Sequence, residues 1–567
     1  MTLGGGAPAP AAATVGDAPG APEIGASQPG NYLAGLIASA DRDTESAEAY
    51  YREALRIDPR NADLIDRAFS AALSNGDVPA ASALAERLLA RDPGNRLARL
   101  ALSASFMQKG DYASSRAELY SRDAQARDVT TNLLTAWTYA GQNDLRHALE
   151  TLDRIRDPAV GAFRDFHAGL IADLLGNQTE AQRRLKAAYE ADKNALRFAD
   201  AYARFLAAHG DRDGAIKVYD DFALAAPNHP IVVRALADLK SGVSPAPLVS
   251  NAKDGAGEVL YGLGAAGIRE GDEMPALVYL RLSLYLRPHD DLTSVTLATL
   301  FDQMKKGEQA IAAYESVPAV SPLHEDAEIQ AALVLDSLGQ SDEAIKRLAA
   351  LVAVQPHDID ALSALAGLQR SAKQYKEAAA TYDKAIAAVG IPNRDNWTLF
   401  YFRGICYERA KEWPKAEDDF KTALELFPDQ PLVLNYLGYS WVDQGVKLDE
   451  AFKMLRRAVE LRPNDGYIVD SLGWAHYKLG QYAEATQTLE RAVDLKPADP
   501  VLNDHLGDAY WRVNRKIEAR FQWNHARDMQ PEPEDLPAIL KKIDVGLPDA
   551  SPDRPASDSP APKAGGG

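Results

Sequence analysis

The segment from residue 435 to residue 531 repeats itself at steps of 34 or 35 residues, and this repeat limits the possible folds more than any other feature. The copies share a Leu-Gly pair, a later large apolar residue and a closing proline. These are Leu437-Gly438, Leu472-Gly473 and Leu506-Gly507, then Leu455, Leu489 and Trp523, then Pro463, Pro497 and Pro531. Because proline cannot continue a helix, it sets the end of each copy. The pattern predicts a helix–turn–helix unit that stacks on copies of itself.

A small residue marks the same place in each unit and can be followed through the whole chain. Most of its steps are 33 to 35 residues. We expect a small side chain there because the two helices of a unit cross closely at that point. The positions are Ala47, Ala81, Ser115, Ala148, Ala181, Ala215, Ala276, Ala310, Ala344, Ala378, Ala416, Ala451, Ala485 and Ala519. Counting back from the first of them predicts about fourteen units that begin near residue 28.

A unit of this length and pattern resembles the tetratricopeptide repeat (TPR). The resemblance implies an all-α, right-handed superhelical solenoid in which each unit packs only on its neighbours. Such a chain builds a binding surface and is expected to bend smoothly, without unfolding in a single step.

One interval breaks the spacing and predicts a division into two arrays. Ala215 and Ala276 are 61 residues apart, and the interval holds one helix-like piece, 229–240, followed by proline and small residues. We predict an unpaired helix and a loop there. A last helix is predicted at 536–543. The predicted organisation is a disordered leader 1–27, an N-terminal array 28–240, a linker loop 241–253, a C-terminal array 254–545 and a disordered tail 546–567.

The charge and composition exclude several classes of partner. The formal net charge is −19, whereas nucleic acids and anionic membranes require a basic footprint. No stretch approaches the roughly 20 apolar residues that span a bilayer. No secretion signal is recognisable at the start, so the printed chain predicts a cytoplasmic location, although a Gly/Ala/Pro leader also commonly follows a removed signal. The oligomeric state has no signal in the sequence.

No motif in the chain predicts catalysis, a cofactor or a metal. The glycines 262–267 match G-x-G-x-x-G, but they lie inside a predicted helix with no strand before them, so helix packing is the expected role. Cys406, the only cysteine, is expected to be a small buried apolar residue. The ten histidines are scattered, and neither H-E-x-x-H nor C-x-x-C occurs. We therefore predict a protein that is not an enzyme.

In TPR arrays the first helix of each unit lines a concave groove, and this places a set of side chains of the last three units there. They are Asn435, Tyr439, Asp470, Trp474, Tyr477, Lys478, Asp504, Asp508, Trp511 and Arg512. Large aromatic residues on an exposed face often mark a binding site, and neighbouring Asn and Asp can pair with an extended peptide. The alternative is that these aromatic residues only pack between repeats. Asp470 and Asp504 would repel a terminal carboxylate, so a chaperone-tail clamp is not expected at this end.

The block from residue 434 to residue 531 resembles the C-terminal block of a proteobacterial TPR family that includes outer-membrane lipoproteins. The resemblance is carried by four strings, residues 434–441, 448–451, 466–474 and 500–511. One branch of that family is the adaptor partner of a periplasmic carboxyl-terminal processing protease and delivers cell-wall hydrolases to it. The chain departs from the family in having no signal sequence and no lipidated cysteine at its start.

The resemblance implies a scaffold or adaptor that binds a protein partner in the groove, such as a periplasmic protease and its substrates. An assembly factor or chaperone-like organiser of an envelope or cytoplasmic complex is the alternative, and an enzyme with an unrecognised site is a third reading. If a lipoprotein signal precedes Met1, the expected location is the periplasmic face of the outer membrane.

Overall fold

The computed structural model describes residues 24–25, 27–120 and 128–548, which form α-helices, two short 3₁₀ turns and no β-strand. The chain divides into two compact units, residues 1–340 and 341–567. The predicted leader and tail lie almost entirely outside the described residues. The all-α fold and the TPR-like solenoid predicted from the repeat are confirmed.

The described residues of the first unit form eighteen α-helices, numbered in chain order. They are α1 Gln28–Ala40, α2 Thr44–Ile57, α3 Ala62–Asn75, α4 Val78–Leu89, α5 Arg96–Gln108, α6 Tyr112–Leu119, α7 Val129–Ala140, α8 Leu145–Leu152, α9 Gly161–Leu174, α10 Gln178–Ala191, α11 Leu196–Ala208, α12 Arg212–Ala223, α13 Pro230–Ser241, α14 Ala252–Glu270, α15 Glu273–Leu286, α16 Asp291–Gln303, α17 Gly307–Glu315 and α18 His324–Ser337.

The described residues of the second unit form twelve further helices. They are α19 Ser341–Val354, α20 Ile359–Ser371, α21 Tyr375–Val389, α22 Trp397–Arg409, α23 Trp413–Leu426, α24 Pro431–Gln444, α25 Leu448–Leu461, α26 Gly466–Lys478, α27 Tyr482–Leu495, α28 Pro500–Arg512, α29 Lys516–Asp528 and α30 Leu536–Val545. Most helices alternate as the first and second helix of a pair. Helix α13 interrupts this alternation, and α30 follows the last pair.

The small residue of each repeat lies at the crossing of two paired helices, as predicted. All fourteen of these residues are buried, with 2% or less of their surface exposed. The repeat glycine of the first helix also allows the two helices to cross closely, because it has no side chain. A Cβ atom at Gly507 would lie 2.5 Å from the Trp523 ring and 3.1 Å from the Ala519 carbonyl oxygen. Any larger residue at this position would push the two helices apart.

Polar residues at the turns fix where many helices begin. The Asp77 carboxylate accepts a hydrogen bond from the Ala80 amide before α4, and Asp111 does the same for Ser114 before α6. These caps satisfy amides that have no partner within the helix. Asn, which has a similar short side chain, plays this role at α3 and α5.

After α13, the chain folds back over the first unit. Helix α14 packs on α7 and α9, and α15 packs on α3 and α5, which are all first helices of earlier pairs. A side chain on Gly255 would overlap the Trp137 indole, and the Gln108 side chain donates to the Tyr285 carbonyl at 2.9 Å. The pair α14–α15 therefore covers the inner face of the first unit.

A buried ion-pair cluster holds α14 in this place. Glu258 is 1% exposed, and its carboxylate binds Arg197 of α11 at 2.7 Å and Arg287 at 2.9 Å. Burial alone would raise the pKa of Glu258, but the two guanidinium groups outweigh it and lower the pKa to about 2. The carboxylate is thus charged inside the protein.

The two compact units meet in sequence at residues 340 and 341, whereas the predicted linker between arrays was 241–253. The difference arises because α14 and α15 follow the linker but pack on the first unit. The predicted single helix corresponds to α13, and an irregular segment follows it before α14. Local sequence breaks therefore do not coincide with the boundary between the units.

Two predictions about isolated motifs are confirmed. The glycines 262–267 lie in the middle of α14, where Gly264 packs on Leu280 and Gly262 packs on Phe163. Cys406 is fully buried, and burial raises the pKa of its thiol to about 12. Both motifs serve helix packing.

Candidate functional site: the groove of the second unit

A cavity of about 1300 Å³ lies among the first helices of five successive pairs in the second unit, and we call it the groove cavity. The contributing helices are α20, α22, α24, α26 and α28. Aromatic side chains form much of its wall, and carboxylate, guanidinium and amide groups lie between them. The aromatic lining residues are Trp397, Tyr401, Phe402, Tyr436, Tyr439 and Tyr467.

The spacing of apolar and polar residues in α24 explains how a helix presents a wall to the cavity. Residues three or four apart lie on one helix face. The lining residues of α24 follow this spacing, at Leu432, Asn435, Tyr436, Tyr439, Ser440, Asp443 and Gln444. The opposite face of α24 carries Leu437 and Trp441, which are buried in the core.

Three of the ten predicted groove residues line the groove cavity, namely Asn435, Tyr439 and Asp470. The side-chain oxygen of Asn435 is buried and has no hydrogen-bond partner among the described residues. Burial, with the charges of Asp443 and Asp470, raises the pKa of Tyr439 well above its ordinary value. A buried amide oxygen without a partner is costly, and it suits a donor supplied by a bound chain.

Three more predicted residues form an internal layer beside the cavity. Trp474 is 5% exposed, and its ring stacks on those of His505 and Tyr477. The distances between ring centres are 4.0 Å to His505 and 4.7 Å to Tyr477. The His505 ring nitrogen lies 3.0 Å from both oxygens of Asp470. Lys478 lies 3.4 Å from an oxygen of Asp443. Trp474 therefore packs between repeats, which was the alternative given for the aromatic residues.

The last four predicted residues contact α30 and the two residues 547 and 548 that follow it. The Lys542 amine on α30 contacts Asp504 at 2.7 Å and Asp508 at 2.9 Å. The Trp511 indole donates to the Leu547 carbonyl at 3.0 Å, and Arg512 donates to the Pro548 carbonyl at 2.7 Å. Leu547 and Pro548, assigned to the tail by the sequence, are thus hydrogen-bonded to α28. The sequence places all ten residues in one groove, but α30 covers these four.

None of the lining residues of α20 and α22 was predicted, and these include Arg370, Trp397 and Phe402. The repeat glycine of α22 could have indicated other lining residues of that helix. Counting −3, +1, +4 and +5 from Gly404 gives the lining residues Tyr401, Ile405, Glu408 and Arg409. The ten predicted groove residues lie at these same offsets from Gly438, Gly473 and Gly507, and the prediction did not extend them to Gly404 in an earlier repeat.

The first unit contains a smaller cavity of about 440 Å³ near α11, α13 and the linker. Its charged side chains already pair with one another. Arg204 binds Asp200 at 2.8 Å, Arg234 binds Asp238 at 3.1 Å, and Arg287 also lies on its wall. Because its charges are satisfied internally, this cavity is best explained as part of the contact that fixes the linker.

Neither a metal-binding cluster nor a membrane-spanning helix occurs within the described ranges. No cluster of three or more His, Cys, Asp or Glu side chains in residues 24–25, 27–120 and 128–548 has a geometry that could hold a metal ion. Over the same part of the chain, no helix combines the length and apolar character needed to cross a membrane.

The Asp470–His505 pair predicts a pH dependence of the second unit. Burial would lower the pKa of His505, but Asp470 and the nearby Asp504 and Asp508 raise it above 6.5. A raised pKa means that charged His505 stabilises the fold below pH 6.5 and that this contribution is lost as pH rises through the raised pKa. We expect the urea midpoint, followed by tryptophan fluorescence, to fall between pH 6 and pH 9. Six of the seven tryptophans lie in the second unit, so this signal reports mainly on it.

The matched variant for this test is Asp470→Asn, which keeps the size of the side chain but removes its charge. Its midpoint should be lower at pH 6 and should change less with pH than that of the unaltered protein. Equal pH slopes in the two proteins would show that the pair has no such role.

Comparison with known proteins supports the repeat assignment in several separate segments. Families described as "TPR repeat" and "Tetratricopeptide repeat" match residues 29–61, 67–128, 329–390, 397–430 and 473–514. Two curated relatives are each 27% identical to the chain. The TPR repeat-containing protein PA4667 of Pseudomonas aeruginosa matches over 210 residues, 34% of this chain and 32% of its own. The BBSome complex member BBS4 of Bos taurus matches over 154 residues, 27% of this chain and 28% of its own.

The chain therefore spans about a third or less of the length of these relatives. Among solved structures, the APC/C hetero-tetramer Cut9–Hcn1 covers 85% of this chain and 96% of the matched chain, with 16% identity and a TM-score of 0.38. A tetratricopeptide repeat protein from Parabacteroides merdae covers 45% of this chain and 98% of its own, with 17% identity and a TM-score of 0.38. The matched segments and the series of paired helices together show that the chain contains tetratricopeptide repeats.

Proposed function

We propose that the protein is a protein-interaction scaffold and that the groove cavity binds an extended segment of a partner protein. Repeats of this type suggest a protein-interaction scaffold in general. The groove cavity is the site at which we propose that the partner binds. The observation that carries the proposal is the buried, unpartnered Asn435 oxygen in a wall of aromatic side chains from five successive helices. An extended chain offers one backbone N–H per residue to such an acceptor, and its side chains can pack between the rings.

The proposed site differs from the ten residues predicted from the sequence. It is centred on Asn435, Tyr439 and Asp470 and extends towards α20 and α22. Trp474 supports this site from behind through His505, which contacts Asp470. The four residues beneath α30 are not part of the proposed site because the chain itself occupies them.

Selection of binding peptides tests this proposal directly. A phage library of random nine-residue peptides is selected on the full chain, and the enriched peptides are synthesised with amidated ends. We expect Asn435→Ala and Tyr439→Ala to weaken binding of these peptides by about tenfold each, as loss of a buried hydrogen bond or an aromatic contact at an interface does. Binding is measured by fluorescence polarisation.

The matched control is Arg456→Met, which alters an exposed residue of α25, a second helix of its pair. This variant should bind the peptides as the unaltered protein does. Circular dichroism of all variants checks that the helices remain. Peptides that bind Asn435→Ala and Tyr439→Ala unchanged would place the binding surface elsewhere and overturn the proposal.

We also propose a class of partner on the strength of the resemblance of residues 434–531. That resemblance favours a carboxyl-terminal processing protease and its cell-wall hydrolase substrates over the assembly-factor alternative. The test mixes the purified chain with a purified protease of this class and measures complex formation by sedimentation velocity. Formation of a complex that the selected peptide displaces would support the proposal, whereas two independently sedimenting proteins would contradict it.

A further inference from the structure

The carboxylates that line the groove cavity already have partners within the second unit. They are Glu408, Asp443, Asp465, Asp470 and Asp499. Glu408 accepts from the Tyr436 hydroxyl at 3.1 Å and lies 3.4 Å from Arg409. Asp443 and Asp470 pair with Lys478 and His505. Asp465 and Asp499 accept hydrogen bonds from the Tyr467 and Val501 amides in the first turns of α26 and α28. Every carboxylate in the wall therefore has at least one partner within the second unit.

Two cations in the same wall, Arg370 and Lys496, have no described carboxylate within ion-pair distance, and the Lys496 amine lies 4.2 Å from the centre of the Tyr467 ring. Arg370, at the end of α20, is half-buried, and its guanidinium lies 4.7 Å from the centre of the Phe402 ring. Its Nε atom is buried without a hydrogen bond, and no described carboxylate lies within ion-pair distance of it. By contrast, Arg409 and Arg462 have carboxylates at 3.4 and 3.9 Å.

An incompletely satisfied guanidinium in a partly closed, aromatic wall is a specific recognition element. Removing a guanidinium from water without a counter-charge is unfavourable, so a carboxylate brought by a ligand gains more here than at an open surface. The planar fork of arginine suits two parallel hydrogen bonds to a carboxylate. The unpartnered Asn435 oxygen lies in the same cavity and accepts from a peptide backbone.

We propose that the groove cavity selects an extended peptide that carries an acidic side chain, Asp or Glu, which pairs with Arg370. This inference rests on the proposed function, because it names the class of peptide that the same groove binds. The recognised group is a side-chain carboxylate within the peptide. The net charge of −19 does not attract an acidic partner from a distance. The selectivity therefore comes from the local contact at Arg370.

The test repeats the nine-residue phage selection, with peptides displayed so that no free carboxyl terminus is present. Sequencing of the enriched pool should show acidic residues at one position on the unaltered protein. In synthetic amidated peptides, replacing that acidic residue by its amide should weaken binding about tenfold, as loss of a charge-assisted hydrogen bond does. The Arg370→Met variant, which keeps a side chain over Phe402, should bind the acidic and amide peptides equally. A separate selection on Arg370→Glu should enrich basic residues at that position.

The control Arg456→Glu makes the same change in net charge on an exposed part of α25 and should keep the acidic preference. An unchanged acidic preference in Arg370→Met would overturn the role of Arg370. Equal binding of acidic and amide peptides to the unaltered protein, with weaker binding of both to Tyr439→Ala, would refute the acidic preference and leave the groove as the binding site. The absence of any enriched peptide would overturn the proposed function as well.

Discussion

Replacing Glu258 with alanine is expected to destabilise the first unit by about 3–5 kcal/mol, the usual result of removing one partner of a buried ion pair. The carboxylate is 1% exposed and binds both Arg197 and Arg287. Without it, two guanidinium groups remain beneath α14 with less neutralising charge. Hydrogen–deuterium exchange of α9, α11 and α14 measures the effect, because exchange reports the stability of each region separately.

The same interaction predicts an acid sensitivity. Because the pKa of Glu258 is lowered from 4.5 to about 2, its stabilising effect is complete above pH 4.5 and is lost as pH falls towards 2. The Glu258→Ala variant should lack this part of the acid dependence. The control is Glu150→Ala, which removes an exposed carboxylate 3.4 Å from Arg146 in the same unit and should cost less than about 0.5 kcal/mol. Similar exchange in both variants would show that the buried cluster does not hold α14.

Replacing Trp523 with alanine is expected to destabilise the last repeat of the second unit by about 3–5 kcal/mol. Trp523 is fully buried against Gly507, and its indole donates to Asp508 at 2.9 Å. The substitution leaves a large cavity and removes one hydrogen bond from a buried carboxylate, which keeps only Lys542. Faster hydrogen exchange in α28, α29 and α30 measures the loss.

The comparison residue is Phe521, an aromatic residue of the same helix that is 58% exposed. Phe521→Ala should change exchange in these helices very little, because little apolar surface is returned to water. Trp523→Leu supplies an intermediate case, since Leu455 and Leu489 occupy this position in the two preceding repeats. If Trp523→Ala behaves like Phe521→Ala, the last repeat does not depend on this packing.

The features predicted correctly from the sequence are those set by close neighbours in the chain. Ala416 and Ala519 are small because two helices that follow each other cross there, and the spacing alone reveals it. The single helix α13 and the last helix α30 were likewise visible from proline and small residues around them. Local patterns therefore fix the helices and their pairing.

Contacts between distant parts of the chain left no comparable pattern. Nothing in the spacing around Gly255 indicates that it meets Trp137, more than a hundred residues earlier. For the same reason, the groove prediction did not anticipate that α30 lies against Asp504 and Asp508, since Asp508 looks exposed until Lys542 is placed beside it. Offsets within a repeat identify the face on which a residue lies, but they do not show what covers that face.

The return of α14 and α15 onto the first unit has a consequence for the order in which the protein is made. A ribosome completes α12 at Ala223 but reaches the end of α15 only at Leu286. At roughly 5–20 residues per second, α14 and α15 are completed about 3–13 seconds after α12. Until then, the inner face of the first helices stays uncovered. During this interval Trp137 and Phe163 lack their final neighbours. The nascent chain therefore carries exposed apolar surface, which favours aggregation, until α14 and α15 have been synthesised.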